Sequence, residues 1–445
     1  MGLRKDVAAL MDRARADLAE LVAIRSVADP RQFPPEECTK AAYWVVDRFA
    51  GAGFTDLSLH ETSDGSSAVY GERPARDPHA PTVLLYAHYD VQPPLDEAAW
   101  RTPPFALTER DGRWYGRGAA DCKGNIVMHL TALRALGDDL PVHLKLIVEG
   151  SEEQGTGGLE DLVERHPDLL RADAILVCDT GNAAVGAPAA TVTLRGLVNV
   201  VVTVEALGGE VHSGMFGGPA PDALAALIQI LSSLRDRVGN TTITGLDSTQ
   251  TWTGEPYPAA QFRADAGLHD GVALLGDGTV SDMVWARPAV TVLGIDCPPV
   301  VGSAAAIQPR ARARLNLRVP PGTEAAAAQR ALITHLHAAA PWGVRVSVEP
   351  EALGQPFEAR TGGPAYRALA AAMRESYGRD MVTLGQGGSI PLCNVFAATY
   401  PEAEILLIGV EEPLAAIHAP NESVDPGEIA RLAHAEALFL KHYRG

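Results

Sequence analysis

The sequence Pro-Thr-Val-Leu-Leu-Tyr-Ala-His-Tyr-Asp at residues 81–90 combines a short apolar run with an abrupt polar end. A run of Val, Leu and Tyr of this length is typical of a buried strand. Because residues i and i+2 of a strand share a face, His88 and Asp90 would lie on the same side of the sheet. His88 would then offer one imidazole nitrogen to a cation while Asp90 fixes the tautomer through the other nitrogen. A hydrogen-bonded structural pair gives the same pattern, so both interpretations stay open at this point.

Apolar runs alternate with helical patterns on both sides of this stretch. Strands are predicted at residues 83–87, 143–149 and 174–178, and helices at residues 1–24, 36–52, 125–136 and 158–165. Strands and helices in alternation predict an α/β domain with a mostly parallel sheet. In such sheets, functional sites lie beyond the carboxyl ends of the strands.

The pattern changes near residue 191. From there the sequence predicts a strand region at 191–206, a helix at 221–234, strands at 289–293 and 311–319, a helix at 324–339 and a strand at 344–348. This β-α-β-β-α-β order predicts an α+β domain of ferredoxin-like type. Residues 247–282, rich in Gly, Thr and Asp, are expected to form an irregular excursion within it.

The α/β pattern resumes beyond residue 354. It predicts a helix at 363–377, a strand at 404–408 and a final helix at 426–442. The sequence therefore predicts a discontinuous domain formed by residues 1–190 and 354–445. A second domain, residues 191–353, is inserted into it.

Length and composition limit the class of protein. The chain has 445 residues, which exceeds the size at which single hydrophobic cores stop growing. Hydrophobic residues make up 47% and charged residues 21%, as in ordinary globular proteins. No apolar stretch approaches the roughly 18 residues that span a bilayer, and the N-terminal segment has the apolar spacing of an amphipathic helix rather than a signal peptide. We therefore expect a soluble, two-domain protein that neither engages a membrane nor is exported.

Charge and cysteine usage narrow the choice of partners and compartment. The formal net charge is −18, from 37 basic and 55 acidic residues, which argues against a nucleic-acid or anionic-membrane partner. The five cysteines are scattered and form no Cys-x-x-Cys pair, so neither a disulfide framework nor a thiolate zinc site is predicted. A cytoplasmic location is expected.

Polar side chains recur where the predicted strands end or where a loop returns to the same edge. The candidates beyond His88 and Asp90 are Asp121, Glu152, Glu153, Asp179 and His418. Each also has an ordinary interpretation, since an Asp caps a helix and acidic pairs favour the positive end of a helix dipole. Because the carboxyl ends of parallel strands meet at one edge, the positions of these residues after the strands predict that they share one pocket.

Charge counting favours two cations in that pocket. Asp121, Glu153 and Asp179 would bring together three negative charges, and each pair about 4 Å apart would repel by roughly 4 kcal/mol at an effective dielectric near 20. Two divalent cations would leave one positive charge, enough to hold a hydroxide, and a mixed histidine and carboxylate set suits zinc or manganese. Adjacent carboxylates point differently, so one of Glu152 and Glu153 can hold a metal while its neighbour reaches a metal-bound water. This set of metal ligands predicts that the protein catalyses hydrolysis.

The chain resembles the M20 metallopeptidases and, within them, the carnosinase-like dipeptidases. The resemblance rests on motifs that run in order along the chain: residues 88–93, 116–124, 149–153, Asp179, 211–214, 317–320, 387–391 and His418. It implies a catalytic domain with a mostly parallel sheet and an inserted α+β domain that serves as lid and dimerisation domain.

The resemblance also implies a role for each candidate. Two divalent metal ions per subunit, zinc or manganese, would be bridged by Asp121. One is completed by His88 and Asp179, and the other by Glu153 and His418. Glu152 would be the general base that takes a proton from the metal-bridging water and passes it to the leaving amine, and Asp90 would orient His88.

The same resemblance assigns residues of the inserted domain to the substrate. His212 of one subunit would stabilise the oxyanion in the active site of its partner, which implies a homodimer. Arg318, Ser389 and the backbone at Gly388 would bind the C-terminal carboxylate of a small peptide, a task suited to a planar guanidinium and free N–H groups. One departure is Ala306, where carnosinase-like relatives carry Thr, so a partner-subunit hydroxyl contact is expected to be missing.

The sequence thus predicts a cytosolic dinuclear dipeptidase that cleaves dipeptides or short peptides with a free C-terminal carboxylate. An N-acyl-amino-acid amidohydrolase or desuccinylase is an alternative, because the same metal core serves any amide and only the pocket walls select the acyl group. A catalytically inactive metal-binding scaffold is the non-enzymatic alternative. The presence of both Glu152 and Glu153 argues against it.

Overall fold

A computed structural model describes residues 2–138 and 140–445. These residues form eleven α-helices: α1 (Gly2–Ala23), α2 (Pro35–Ala50), α3 (Lys123–Leu136), α4 (Gly158–Arg165), α5 (Ser213–Phe216), α6 (Ala223–Ser232), α7 (Ala259–Asp265), α8 (Ala325–Ala338), α9 (Pro364–Tyr377), α10 (Pro391–Thr399) and α11 (Pro426–His442). The first helix was predicted from Met1, which lies outside the described residues. Within the described ranges, no helix is both long enough and apolar enough to cross a membrane.

The described residues also form eighteen strands: β1 (Thr55–Glu61), β2 (Ser67–Arg73), β3 (Thr82–His88), β4 (Thr108–Arg110), β5 (Arg113–Tyr115), β6 (His143–Glu149), β7 (Ala174–Cys178), β8 (Ala189–Leu194), β9 (Gly196–Glu205), β10 (Val211–His212), β11 (Ala289–Asp296), β12 (Ala306–Ile307), β13 (Arg310–Val319), β14 (Arg345–Gly354), β15 (Phe357–Glu358), β16 (Val382–Gln386), β17 (Glu404–Ile408) and β18 (Ser423–Val424).

Backbone contacts divide the chain into two units. The first consists of Met1–Val192, Ala359–Leu384 and Pro391–Gly445, and the second of Thr193–Glu358 and Gly385–Ile390. The short segment Gly385–Ile390 is therefore grouped with the second unit, whereas the sequence assigned it to the first domain. It contains two of the residues that the resemblance assigns to the substrate.

Six neighbouring strands of a nine-stranded sheet lie wholly in the first unit, in the order β1-β2-β6-β3-β7-β17. Strands β6, β3, β7 and β17 run parallel, and β2 and β1 add an antiparallel edge. The register pairs His88, the last residue of β3, with Glu149, the last residue of β6. The predicted, mostly parallel sheet is thus confirmed, and β6, β3, β7 and β17 end at one edge.

Strand β3 is buried on both of its faces. Val83, Leu85 and Ala87 of β3 belong to a core cluster that includes residues of α1, α2, α3 and α11. Leu84 and Tyr86 alternate with them and are also fully buried. Strands covered on both faces are apolar without alternation, which explains the run that marks β3 in the sequence.

The second unit contains a four-stranded antiparallel sheet in the order β11-β13-β9-β14. Helix α6 packs against β9 and β13, and α8 packs against β9 and β14. Along the chain the order is β9-α6-β11-β13-α8-β14, which confirms the predicted ferredoxin-like α+β topology. The start of α6 is fixed by Asp222, whose carboxylate accepts the Leu224 N–H at 2.8 Å, as expected of an N-cap.

Some elements were not predicted. Strand β1 is half exposed along its length, because it lies at the edge of the sheet, and so it carries no apolar run. Helix α10 is only nine residues long and directly follows a Gly-rich loop. The excursion at 247–282 contains the short helix α7.

Candidate metal centre

Polar side chains gather at the carboxyl edge of the first unit's sheet. Six come from strand ends and adjoining loops: His88 at the end of β3, Asp121 just before α3, Glu152 and Glu153 after β6, Asp179 after β7, and His418 between β17 and β18. The structure thus brings the predicted ligand residues of the first unit into one region.

Asp121 lies between two histidines. Its Oδ1 is 3.1 Å from His88 Nε2, and its Oδ2 is 2.8 Å from His418 Nε2. Burial raises the pKa of Asp121, but the hydrogen bonds from His418 and His88 together outweigh it and hold the pKa below its usual value. Hydrogen bonds to Asp121 and Glu153 raise the pKa of His418 to about 11. Each oxygen of one carboxylate therefore faces its own imidazole.

Asp90 holds both the His88 ring and the turn that carries the two glutamates. His88 Nδ1 is 3.1 Å from the Asp90 carbonyl oxygen and 3.4 Å from its Oδ1. The Asp90 carboxylate accepts the backbone N–H groups of Glu152 and Glu153 at 3.2 and 3.1 Å. Acceptors at Nδ1 favour the tautomer that leaves Nε2 free to bind a cation.

The two adjacent glutamates have different surroundings. Glu153 Oε2 is 3.2 Å from His418 Nε2 and accepts a hydrogen bond from Gln92 Nε2 at 2.7 Å. The Glu152 carboxylate makes no hydrogen bond with any described residue. Burial, followed by the negative charge of Asp179, raises the pKa of Glu152 well above its usual value. A carboxyl group with a raised pKa and no partner suits proton transfer.

Asp179 and Glu411 add two further carboxylates to the site. Asp179 Oδ1 is 3.0 Å from His88 Nε2, and burial raises its pKa to about 6 despite that histidine. Ligand atoms of Asp121, Asp179 and Glu411 lie within 4.8 Å of one another. Glu411 was missed in the sequence, although it follows the end of β17 and so carries the same signal as Asp179 after β7.

Glu422, which was also missed, holds the loop that carries Asp121. Its fully buried carboxylate accepts four hydrogen bonds at 2.7–3.1 Å, from Arg117 Nη1 and from the backbone N–H groups of Gly118, Ala120 and Asp121. Glu422 lies four residues after His418. One carboxylate therefore ties the Asp121 loop to the His418 loop, and no local sequence pattern marks it.

The remaining sequence-predicted residues lie in the second unit. His212 is exposed, pairs with Ala306 across β10 and β12, and accepts at Nδ1 the backbone N–H two residues later at 3.1 Å. That bond leaves Nε2 as the protonated nitrogen. Arg318 is near the end of β13, and its guanidinium makes no hydrogen bond or ion pair with a described residue. Gly388 and Ser389 lie in the loop between β16 and α10.

The donor set of the first unit fits divalent cations. Carboxylate oxygens and imidazole nitrogens are the ligands that zinc and manganese accept. Glu411 Oε1 is buried without a hydrogen-bond partner among the described residues, and burial, followed by the negative charge of Asp121, raises its pKa well above its usual value. Such a pocket is short of positive charge, which bound cations would supply.

Comparison with known proteins identifies related sequences and structures. The model of peptidase family M20/M25/M40 matches residues 84–442. The cysteinylglycine-S-conjugate dipeptidase of Corynebacterium striatum is 45% identical over 443 residues, which cover 97% of this chain and 96% of that protein. The Beta-Ala-His dipeptidase of Rattus norvegicus is 30% identical, with 83% of this chain and 79% of that protein covered. The crystal structure of human carnosine dipeptidase 1 aligns with a TM-score of 0.80 at 25% identity, covering 99% of this chain and 97% of that chain.

The chain therefore belongs to peptidase family M20/M25/M40. The predicted resemblance to the carnosinase-like group is confirmed, and the protein is an M20-type metallodipeptidase.

Proposed function

We propose that the protein is a dinuclear metal-dependent hydrolase that cleaves the peptide bond of dipeptides or short peptides with a free C-terminal carboxylate. The observation that carries this proposal is Asp121, whose two oxygens face His88 and His418. The named activities of the bacterial and rat relatives suggest two candidate substrate classes, S-conjugates of cysteinylglycine and β-alanyl dipeptides.

The first unit provides ligands for two cations. His88 and Asp179 would hold one, Glu153 and His418 the other, and Asp121 would be shared. When bound, the two cations polarise the scissile carbonyl and lower the pKa of a water from about 15.7 toward about 7. The mixed set of nitrogen and oxygen donors supports zinc or manganese.

Glu152 is the general base of this proposal. It takes a proton from the attacking water and delivers it to the leaving amine, which typically accelerates such reactions by about 10² to 10⁴. Support comes from its carboxylate, which makes no hydrogen bond with a described residue, and from its position next to Glu153. Asp90 positions both glutamates through their backbone N–H groups.

The protein acts as a homodimer in this account, formed through the second unit. His212 of one subunit would donate its Nε2–H to the developing oxyanion in its partner's site, a task that suits the tautomer set at Nδ1,. Strand β11 supports an interface, because it lies at the edge of its sheet and exposes Val292, Leu293 and Ile295. Edge strands with exposed apolar residues are surfaces that proteins usually cover.

Arg318, Ser389 and the backbone at Gly388 bind the substrate's C-terminal carboxylate in this proposal. The Arg318 guanidinium supports it, since it has no acidic partner among the described residues. A cytoplasmic location is also proposed, because the five cysteines are free, as is usual in a reducing compartment.

A substrate panel tests the proposal. Metal-loaded protein is assayed with cysteinylglycine S-conjugates, β-alanyl dipeptides and N-acyl amino acids, with zinc or manganese, and Glu152→Gln serves as the control for contaminating peptidases. We expect hydrolysis of dipeptides and little hydrolysis of N-acyl amino acids. Preference for N-acyl amino acids would favour the amidohydrolase alternative, and no hydrolysis with two bound metals would favour the inactive scaffold.

A further inference from the structure

Arg195 is partly buried in the second unit, and its guanidinium makes no ion pair with any residue that the structure describes. It joins β8 to β9, and its backbone N–H donates to the Gln386 carbonyl oxygen at 3.2 Å. The Nε and Nη1 atoms of its guanidinium are buried without a hydrogen-bond partner in the part of the chain that the structure describes. Buried charged groups are normally paired, so an unpaired one calls for a ligand or a functional explanation.

A second unpartnered guanidinium lies beside it. Leu197 of β9 is opposite Arg318 of β13. Arg195 lies two residues before Leu197 and directly before β9, so if the extended backbone continues by one residue, both side chains share a face. Diagonal neighbours of this kind are about 7–8 Å apart, within reach of long side chains. In agreement, burial and then the positive charge of Arg318 lower the pKa of Arg195 to about 10.

The loop next to Arg195 contains the residues assigned to the substrate carboxylate. A Cβ atom added to Gly387 would lie 2.9 Å from Arg195 Nη2, so a glycine lets the loop pass close to the guanidinium. Gln386 Oε1 is buried without a hydrogen-bond partner, and the Ser389 hydroxyl makes no hydrogen bond with a described residue. The loop and the guanidinium thus bring together several polar groups that make no hydrogen bond with a described residue.

Two neighbouring guanidinium groups without a counter-ion do not stabilise the folded chain. Each loses hydration, and like charges repel. A carboxylate between them removes both penalties and accepts their N–H groups in the planar geometry that arginine provides. The arrangement is therefore suited to a bound anion.

We propose that Arg195 is a second substrate-binding arginine, which together with Arg318 holds the C-terminal carboxylate of the peptide. This inference rests on the proposed function, since it concerns the same substrate. The ligand class is a peptide with a free α-carboxylate, and a peptide amide would leave both guanidinium groups uncompensated.

The test compares cysteinylglycine with its C-terminal amide. For Arg195→Ala we expect kcat/KM for the acid to fall by about 10- to 150-fold, the range for a lost hydrogen bond to a charged group, and kcat/KM for the amide to change little. The ratio of kcat/KM for the acid to kcat/KM for the amide should therefore fall by the same factor. Arg330→Ala is the matched control, because Arg330 is exposed and its ion pair with Glu324 is long, at 3.6 Å, and it should keep the wild-type ratio.

Binding without turnover gives a second readout. In metal-loaded Glu152→Gln protein, calorimetry should show that Arg195→Ala weakens binding of the acid and leaves binding of the amide unchanged. If Arg195→Ala does not fold, Arg195→Lys replaces it and should lower the ratio, because lysine lacks the planar fork. A wild-type ratio in a folded Arg195 variant overturns the inference but leaves the proposed function intact. If wild-type protein with bound metals cleaves neither compound, the proposed function itself fails.

Discussion

Asp121 and His418 come from loops almost 300 positions apart, yet the Asp121 Oδ2 atom lies 2.8 Å from His418 Nε2. The other oxygen of the same carboxylate faces His88. This relationship supports a shared ligand between two cations.

Replacing Glu152 by Gln should separate catalysis from metal binding. Glutamine keeps the shape of the side chain but cannot accept a proton, so kcat should fall by about 10² to 10⁴. Metal content, measured by elemental analysis of dialysed protein, should match that of wild type. A variant with near wild-type turnover would remove Glu152 from the role of general base.

Glu422→Gln should weaken metal binding although Glu422 is not a candidate ligand. The change removes an acceptor from the backbone N–H groups that position Asp121, and loss of such support typically lowers metal affinity by about 10- to 100-fold. Competition with a chromophoric chelator measures this. Glu428→Gln is the matched control, because Glu428 is equally buried but accepts its side-chain hydrogen bonds from Asn182, Gly186, Tyr377 and Arg431. Equal affinity in both variants would contradict the positioning role.

The folding stability of the metal-free protein should depend on pH because of Asp179. Its pKa rises from 3.8 to about 6 on folding, chiefly through burial, so the folded state binds this proton more tightly than the unfolded state does. Its stabilising effect is therefore complete below pH 3.8 and is lost as the pH rises through 6,.

Relative to wild type, Asp179→Asn in chelator should thus gain stability between about pH 4 and 6.5 and level off above, by at most about 3 kcal/mol. Urea unfolding at several pH values measures the difference. A difference that does not change with pH would contradict the assignment. With metals restored, wild type should be the more stable protein, since Asp179 is then a ligand.

The partner-subunit role of His212 can be tested by complementation. Glu152→Gln retains His212 but lacks the base, and His212→Ala retains the base but lacks the oxyanion donor. Hybrid dimers would contain one complete site, so mixing the two inactive variants under conditions of subunit exchange should restore activity. Activity that never exceeds the sum of the separate variants would indicate that His212 does not act across an interface.

The strand ends could be predicted because the buried strands of a parallel sheet have continuous apolar sequences. The apolar runs that stop at His88 and before Asp179 are buried on both faces, and each ends where its polar residue begins. The ferredoxin-like order of the second unit was predictable for a similar reason. Strand β9 is a long and mostly apolar segment, and β13 alternates between exposed and buried residues along most of its length.

Other parts depend on distant contacts that no local pattern records. Glu422 accepts the Asp121 N–H from 301 positions away, and nothing in its neighbourhood distinguishes it from an exposed loop acid. Arg195 is an ordinary strand-end arginine until the register with Arg318 and the passage of Gly387 are known. The roles of such residues can be recognised only when the positions of the surrounding loops and strands are known.

The central claim is that two cations share Asp121, and the number of cations bound per chain tests it most directly. Wild-type protein, loaded with zinc or manganese and freed of excess metal, should contain two per chain by elemental analysis. Asp121→Asn should lose at least one, whereas Glu152→Gln keeps both. One or no cation in wild type, or two retained in Asp121→Asn with wild-type affinity, would contradict the account.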